Sequence, residues 1–101
     1  MSAWVYILKC ADRSYYTGST TNLEWRISQH MTGKGSKYTS SRLPVTLVYA
    51  FESESIVEAM NHEHQIKGWS RAKKEALIRG DYQALVDLSK AKNISQKKSQ
   101  P

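Results

Sequence analysis

Six residues near the amino end, Val5-Tyr6-Ile7-Leu8-Lys9-Cys10, constrain this chain more than any other stretch. They belong to a near-continuous apolar run over residues 4–10, with two β-branched and two aromatic residues and no turn former. Such a run reads as a strand covered on both faces. Asp12 and its neighbours make a turn, and residues 15–19, Tyr-Tyr-Thr-Gly-Ser, read as the return strand of a hairpin. The two-residue period puts Tyr6 on one face with Trp4, Leu8 and Cys10, and Tyr16 on one face with Gly18. Gly18 leaves a gap beside Tyr16, which weakens the strand and marks a place where another group comes close.

A helix follows. Thr21 or Asn22 caps it, Glu24 complements its dipole, and Gly33 stops it after about Met31. Leu23, Ile27 and Met31 form its apolar stripe. Arg26 and His30, four apart, run along one edge of that stripe, at the border of core and solvent, while Trp25 points the opposite way. Residues 32–43 are rich in Gly, Ser and Thr and basic, and read as a loop whose amides and lysines suit phosphate. Its glycine spacing does not match a nucleotide-binding P-loop. Pro44 opens a third strand over residues 45–51.

Ser53 or Ser55 caps a second helix that reaches about Lys67, with Ile56, Ala59, Met60 and Ile66 as its stripe. Glu63 falls inside that stripe, where a lone carboxylate is costly unless paired. A metal ion, a buried base, a hydrogen-bond network or an i,i+4 pair with Lys67 would serve. His62 and His64 flank it, but residues two apart on a helix diverge by about 160°, which argues against a His-based zinc site. Gly68 ends this helix. Ser70 caps a basic one from Arg71 to Arg79, whose Arg71, Lys73, Lys74 and Arg79 suit either phosphate or a solvated face. Gly80 stops it, and Asp81 caps a last short helix packed through Leu85, Val86 and Leu88.

The net charge of +6 is unevenly spread. Residues 1–51 hold six basic and two acidic residues, residues 52–89 five basic and seven acidic, and four lysines follow with no acid among them. The folded part is thus basic on the half with Arg26, Lys34, Lys37 and Arg42, a field that attracts phosphate polymers. The length suits one domain over residues 1–90, followed by a basic, disordered tail over 91–101. No apolar run is long enough for a membrane helix, and the first residues lack the pattern of a secretory signal. The lone Cys10 reads as a small core residue of a cytoplasmic protein rather than a nucleophile.

In order the elements are β-β-α-β-α-α-α: an α+β domain with a small three-stranded antiparallel sheet flanked by helices. With its polar residues so placed, the chain resembles the GIY-YIG endonuclease superfamily, most of all its small single-domain branch. The first signature is Trp4-Val5-Tyr6, the second Tyr16-Thr17-Gly18, the helix signature Arg26 with His30, and the distal carboxylate Glu63. The segment from Gly33 to Thr39 also looks like this branch, and the resemblance covers residues 3–80. Two positions depart from the family pattern, Trp4 for glycine and Thr17 for isoleucine, with the aromatic and glycine positions kept.

The resemblance implies a DNA endonuclease that hydrolyses phosphodiesters with one divalent ion, Mg²⁺ or Mn²⁺, in repair or recombination. Tyr6, Tyr16, Arg26, His30 and Glu63 would be its catalytic residues, with Glu63 holding the metal. Arg26 would bind the scissile phosphate together with Lys34, Lys37 and Arg42. Tyr6 would activate the attacking water, with His30 relaying its proton or doing that job itself, and Tyr16 would orient the phosphate or its water. The competing reading is a non-catalytic module that binds nucleic acid through the same basic face. No targeting module accompanies the domain, which leaves a third reading, a nuclease that nicks only when a partner protein delivers it; the chain itself is expected to be a monomer or weak dimer.

Overall fold

At the centre of the sheet lies β1 (Ala3–Lys9), paired antiparallel on one side with β2 (Tyr15–Thr20) and on the other with β3 (Thr46–Ser53). The computed structural model describes residues 2–89. It adds α1 (Leu23–Met31), α2 (Lys37–Ser40), α3 (Ile56–Lys67) and α4 (Arg71–Arg79). Residues 82–89 form a further helix, α5. The expected α+β class and antiparallel three-stranded sheet are present, in the order β2-β1-β3. Among the described residues no helix is long and apolar enough to cross a membrane.

A central strand loses water on both faces, which is why its run is apolar at nearly every position. Val5, Tyr6, Ile7 and Leu8 are all buried. Tyr6 and Leu8 join Cys10, Ile27 and Val45 in one cluster, with Tyr16 and Leu23 packed against it. Ala3, Val5 and Ile7 close the other face, and α3 packs on β1 and β2. The register sets Tyr6 opposite Gly18 and Leu8 opposite Tyr16. Both phenols therefore rise from the same face as neighbours on adjoining strands. A register shift between Ile7 and Leu8 interrupts the pairing with β3.

Local chemistry sets the ends of the elements. Asp12 Oδ1 accepts from the backbone N–H and the hydroxyl of Ser14, tying the hairpin turn. Of the two candidate caps for α1, Asn22 does the work, its Oδ1 accepting Trp25 N–H at 3.1 Å. Gly33 follows with φ +82°, open to glycine without steric cost. Ser55 caps α3 and Ser70 caps α4.

Several expectations need correction. The segment expected to be a loop contains α2, because Ser36 accepts Thr39 N–H and starts a helical turn. Met31 is 53% exposed, and the buried place in the last turn of α1 goes instead to His30, which is 0% exposed. His30 is not at a solvent border, since its ring is fixed by hydrogen bonds at both nitrogens. On α3, Ala59 and Ile66 are buried but Ile56 and Met60 are not. The third strand runs to Ser53, and its Leu47 and Phe51 are partly exposed because β3 is an edge.

The chain divides into two compact units, Met1–Gly68 and Trp69–Pro101. In the second, Gly80 ends α4 with φ +72° and Asp81 Oδ1 caps α5. Arg71 pairs with Glu75, Arg79 with Asp81, and Lys73 lies over the Trp69 ring, so much of the basic face of α4 is already engaged. Val86, expected to pack, is 46% exposed. The lysine-rich tail lies outside the described residues.

Candidate active site

All five polar residues singled out in the sequence lie within the first unit. Tyr6 comes from β1, Tyr16 from β2, Arg26 and His30 from α1, and Glu63 from α3. Tyr6 Oη and His30 Nε2 are 2.8 Å apart in a buried hydrogen bond. The Tyr16 ring lies 5.1 Å from the His30 ring and 6.5 Å from the Tyr6 ring, centroid to centroid. The three rings form one cluster, of which Tyr16 is the half-buried member and Tyr6, 1% exposed, the enclosed one.

Gly18 explains part of that enclosure. A Cβ at this position would lie 2.5 Å from Tyr6 Oη and 2.6 Å from Cζ, so only glycine admits the phenol. The close approach expected beside Gly18 is thus made by the tyrosine across the strand pair.

The surroundings set the protonation of the cluster. Burial pushes the Tyr6 phenol up to about 12, against a partial offset from Arg26, and the neighbouring Tyr16 and Glu63 raise it further. Burial, followed by the positive charge of Arg26, pulls His30 down to about 4. At neutral pH both are uncharged, a neutral phenol bonded to a neutral imidazole. The second ring nitrogen, His30 Nδ1, is 2.9 Å from Thr39 Oγ1 on α2, itself 2.9 Å from Ser36 Oγ.

Arg26 Nη2 donates to the Gly35 carbonyl at 2.9 Å. Among the described residues no carboxylate lies within ion-pair distance of it. A half-buried guanidinium with its charge uncompensated is suited to a phosphate.

Glu63, with its side chain 20% exposed, has a partner on each oxygen: Ser19 Oγ donates to Oε1 at 2.5 Å and Lys67 Nζ lies 2.6 Å from Oε2. Of the pairings open to this carboxylate, the i,i+4 contact with Lys67 is present, joined by a hydrogen bond from β2. A depression lined by Met60, Asn61, Glu63, His64 and Lys67 gives the carboxylate access to solvent. Among the described residues no cluster of three or more His, Cys, Asp or Glu could cage a metal. One reachable carboxylate does fit a hard ion that keeps most of its waters, as Mg²⁺ and Mn²⁺ can. It does not fit zinc.

The basic residues divide. Lys34 and Lys37 are exposed. Arg42 is committed to structure: it pairs with Asp12 at 3.0 Å, donates to the Tyr38 carbonyl at 2.9 Å and stacks 3.8 Å over the Tyr38 ring. Tyr38 in turn lies 6.0 Å from Tyr16.

Sequence reasoning missed Ser19, Gly35, Ser36 and Thr39 as members of the site. The signal for the last two was present: Ser36 three residues before Thr39 is the spacing of a cap. Nothing local announces that Gly35 and Thr39 meet His30.

A family model described as the GIY-YIG catalytic domain matches residues 2–76. The chain is similar to a UPF0213 protein of Natronomonas pharaonis, 52% identical over 75 residues, which cover 74% of this chain and 88% of that one. A UPF0213 protein of Staphylococcus haemolyticus is 53% identical over 75 residues, covering 74% and 92%. Among solved structures, the solution NMR structure of the UPF0213 protein from Bacillus halodurans is 46% identical with a TM-score of 0.52, covering 88% of this chain and 98% of that one. An NMR structure of an E. faecalis protein is 35% identical with a TM-score of 0.55, covering 81% and 88%.

Proposed function

The chain belongs to the GIY-YIG catalytic-domain family, and from that premise we propose that it is a nuclease: a DNA endonuclease that hydrolyses phosphodiester bonds, with repair or recombination as its setting. The observation that carries the reading is the buried 2.8 Å contact between Tyr6 and His30 beside an uncompensated Arg26. Arg26 binds the scissile phosphate and neutralises charge that develops on it. Its Gly35 tether holds the guanidinium in place, and the N–H groups taken by neither Gly35 nor Tyr6 are left for the phosphate. Half-buried Tyr16 orients the phosphate, and exposed Lys34 and Lys37 add attraction for the strand.

The resting protonation states suit one division of labour between Tyr6 and His30. At pH 7 a phenol of pKa about 12 keeps its proton and an imidazole of pKa about 4 stays neutral, so an O–H donor faces a ring nitrogen that can accept. The route that uses both is a relay: the water gives its proton to Tyr6 Oη while the Tyr6 proton moves to His30 Nε2. Tyr6 stays neutral throughout and His30 becomes the imidazolium. Because Tyr6 is 1% exposed, the water it meets is one enclosed with the phosphate rather than bulk solvent. Glu63 would hold one divalent ion, which when bound polarises the phosphate and stabilises the leaving oxygen.

One observation favours a second reading. Both oxygens of Glu63 already have protein partners, Ser19 and Lys67, which suits a module that binds nucleic acid without cutting it. A panel of labelled linear, nicked, flapped and branched DNAs, incubated with Mg²⁺ or Mn²⁺, separates the two. The nuclease reading expects cutting that disappears in both Glu63→Gln and Arg26→Ala. Binding that survives Glu63→Gln and weakens in Arg26→Ala, with no cutting by the wild type, would replace it with the binding module.

A further inference from the structure

His30 is neutral and buried, so one ring nitrogen donates and the other accepts. Which one accepts decides whether it can take a proton from Tyr6. We propose that Thr39 is the positioning residue that sets the tautomer of His30, with Nδ1–H donated to Thr39 Oγ1 and Nε2 left bare to accept the Tyr6 O–H. The role in turnover rests on the relay reading above; the tautomer itself does not.

The hydrogen bonds around Thr39 close when His30 Nδ1 carries the proton. Its hydroxyl donates back along α2 to the Ser36 carbonyl, a long contact of 3.4 Å of the kind Ser and Thr make within helices. Its oxygen then has lone pairs for two donors. Ser36 Oγ–H supplies one at 2.9 Å and His30 Nδ1–H the other at 2.9 Å. Ser36 Oγ meanwhile accepts Thr39 N–H at 3.1 Å, so every polar atom of the cluster is used.

The opposite tautomer fails at the Tyr6 end. Thr39 would turn its proton to Nδ1, leaving the Ser36 carbonyl to Ser40 N–H alone. On the other side Nε2–H would point at a Tyr6 oxygen that already attracts the Arg26 guanidinium, and the Tyr6 proton would lose its acceptor in a site where Tyr6 is 1% exposed. A buried hydroxyl without a partner is among the costlier errors a fold can contain. The arrangement also gives residues 33–40 a purpose other than the phosphate cradle that their composition suggests. Gly35 binds Arg26 through its carbonyl and, lacking a Cβ, admits the His30 ring, while Ser36 and Thr39 orient that ring.

The test is the ¹⁵N signature of the His30 ring in the full chain at pH 7, read by multiple-bond ¹H–¹⁵N NMR. Wild type is expected to show a protonated Nδ1 and a bare Nε2. Thr39→Val removes the acceptor at nearly constant shape and should shift the ring to the Nε2–H form or to a mixture, whereas Thr39→Ser should keep the wild-type signature. In DNA cleavage Thr39→Val should lower the turnover rate by roughly 10- to 100-fold with KM little changed, and Thr39→Ser should restore most of it. A wild-type ring protonated on Nε2 overturns the proposal without need of any variant, as does a signature that Thr39→Val leaves unchanged. If the signature switches as expected but the wild type cuts no DNA, Thr39 still sets the tautomer and it is the nuclease reading that falls.

Discussion

One methyl group at Gly35 tests whether this glycine is present to admit a ring. A Cβ built there runs into His30 Nδ1 and lies 2.6 Å from Cγ and 2.8 Å from Cε1, well inside contact distance. The ring has no room to yield. It is 0% exposed and bonded to Tyr6 through one nitrogen and to Thr39 through the other. Overpacking of this kind costs about 1–3 kcal/mol. If the ring shifts enough to release the Tyr6 or Thr39 hydroxyl, an unpaired buried group adds about 1–3 kcal/mol. Against this, replacing glycine by alanine stiffens the unfolded chain and returns about 0.4–1 kcal/mol, because Gly35 is not one of the positive-φ glycines. The expected net loss for Gly35→Ala is about 2–4 kcal/mol, a large share of the roughly 5–15 kcal/mol that holds a small domain. Urea unfolding followed by tryptophan fluorescence measures it, with an unchanged m-value as the check that only the native state is affected. The decisive form is a cycle with His30→Ala. Once the ring is gone the same methyl has nothing to strike, and Gly35→Ala should become neutral or stabilise by about 0.5 kcal/mol. A cost that is equal in the two backgrounds, or below about 0.5 kcal/mol in the wild type, refutes the argument.

Acid should weaken the fold through His30. Its pKa is depressed from 6.5 to about 4 by burial and Arg26, so between those values the unfolded chain binds the extra proton. Stability from this residue is complete above pH 6.5, declines as pH falls, and is lower by up to about 3 kcal/mol below pH 4. Unfolding curves from pH 7 to pH 4 should show that slope in the wild type and a flatter one in His30→Asn; equal slopes would contradict it. Gly80 is the opposite case from Gly35, with φ +72° and nothing within 4 Å of an added Cβ. Gly80→Ala should therefore cost about 1 kcal/mol from backbone conformation alone, or about 4–8 °C in Tm, and Gly80→Asn should cost less. Asn22→Ala removes the cap of α1 and should cost about 1 kcal/mol by the same unfolding assay, while Asn22→Asp should be near neutral.

The chain wrote its local structure plainly. The apolar run of β1, the Asp12 turn, the caps at Asn22, Ser55 and Ser70, and the stop at Gly80 all depend on residues within a few positions of one another. Each can be read without knowing what lies across the fold. Where local signals competed, tertiary contacts decided. Met31 continues the period of Leu23 and Ile27, yet it lies in solvent while His30 is buried, because two hydrogen bonds offset the desolvation of an imidazole. The Ser/Thr-rich segment after Gly33 looked like a loop because those residues serve turns and caps alike, and α2 exists through a single cap at Ser36.

By itself, then, the sequence determined the strands and the longer helices and their order, with the short α2 as the exception, and it presented the polar residues that the family signature joins. Only the tertiary structure decided what those residues are to one another. Tyr6 meets His30 from 24 positions away, and Ser19 reaches Glu63 across 44. Such contacts are set by strand register and by the rotation of helices on the sheet, and no local propensity encodes either. The same holds for protonation: tyrosine and histidine bring ordinary pKa values, and it is burial that raises Tyr6 against the pull of Arg26, and burial together with Arg26 that keeps His30 neutral.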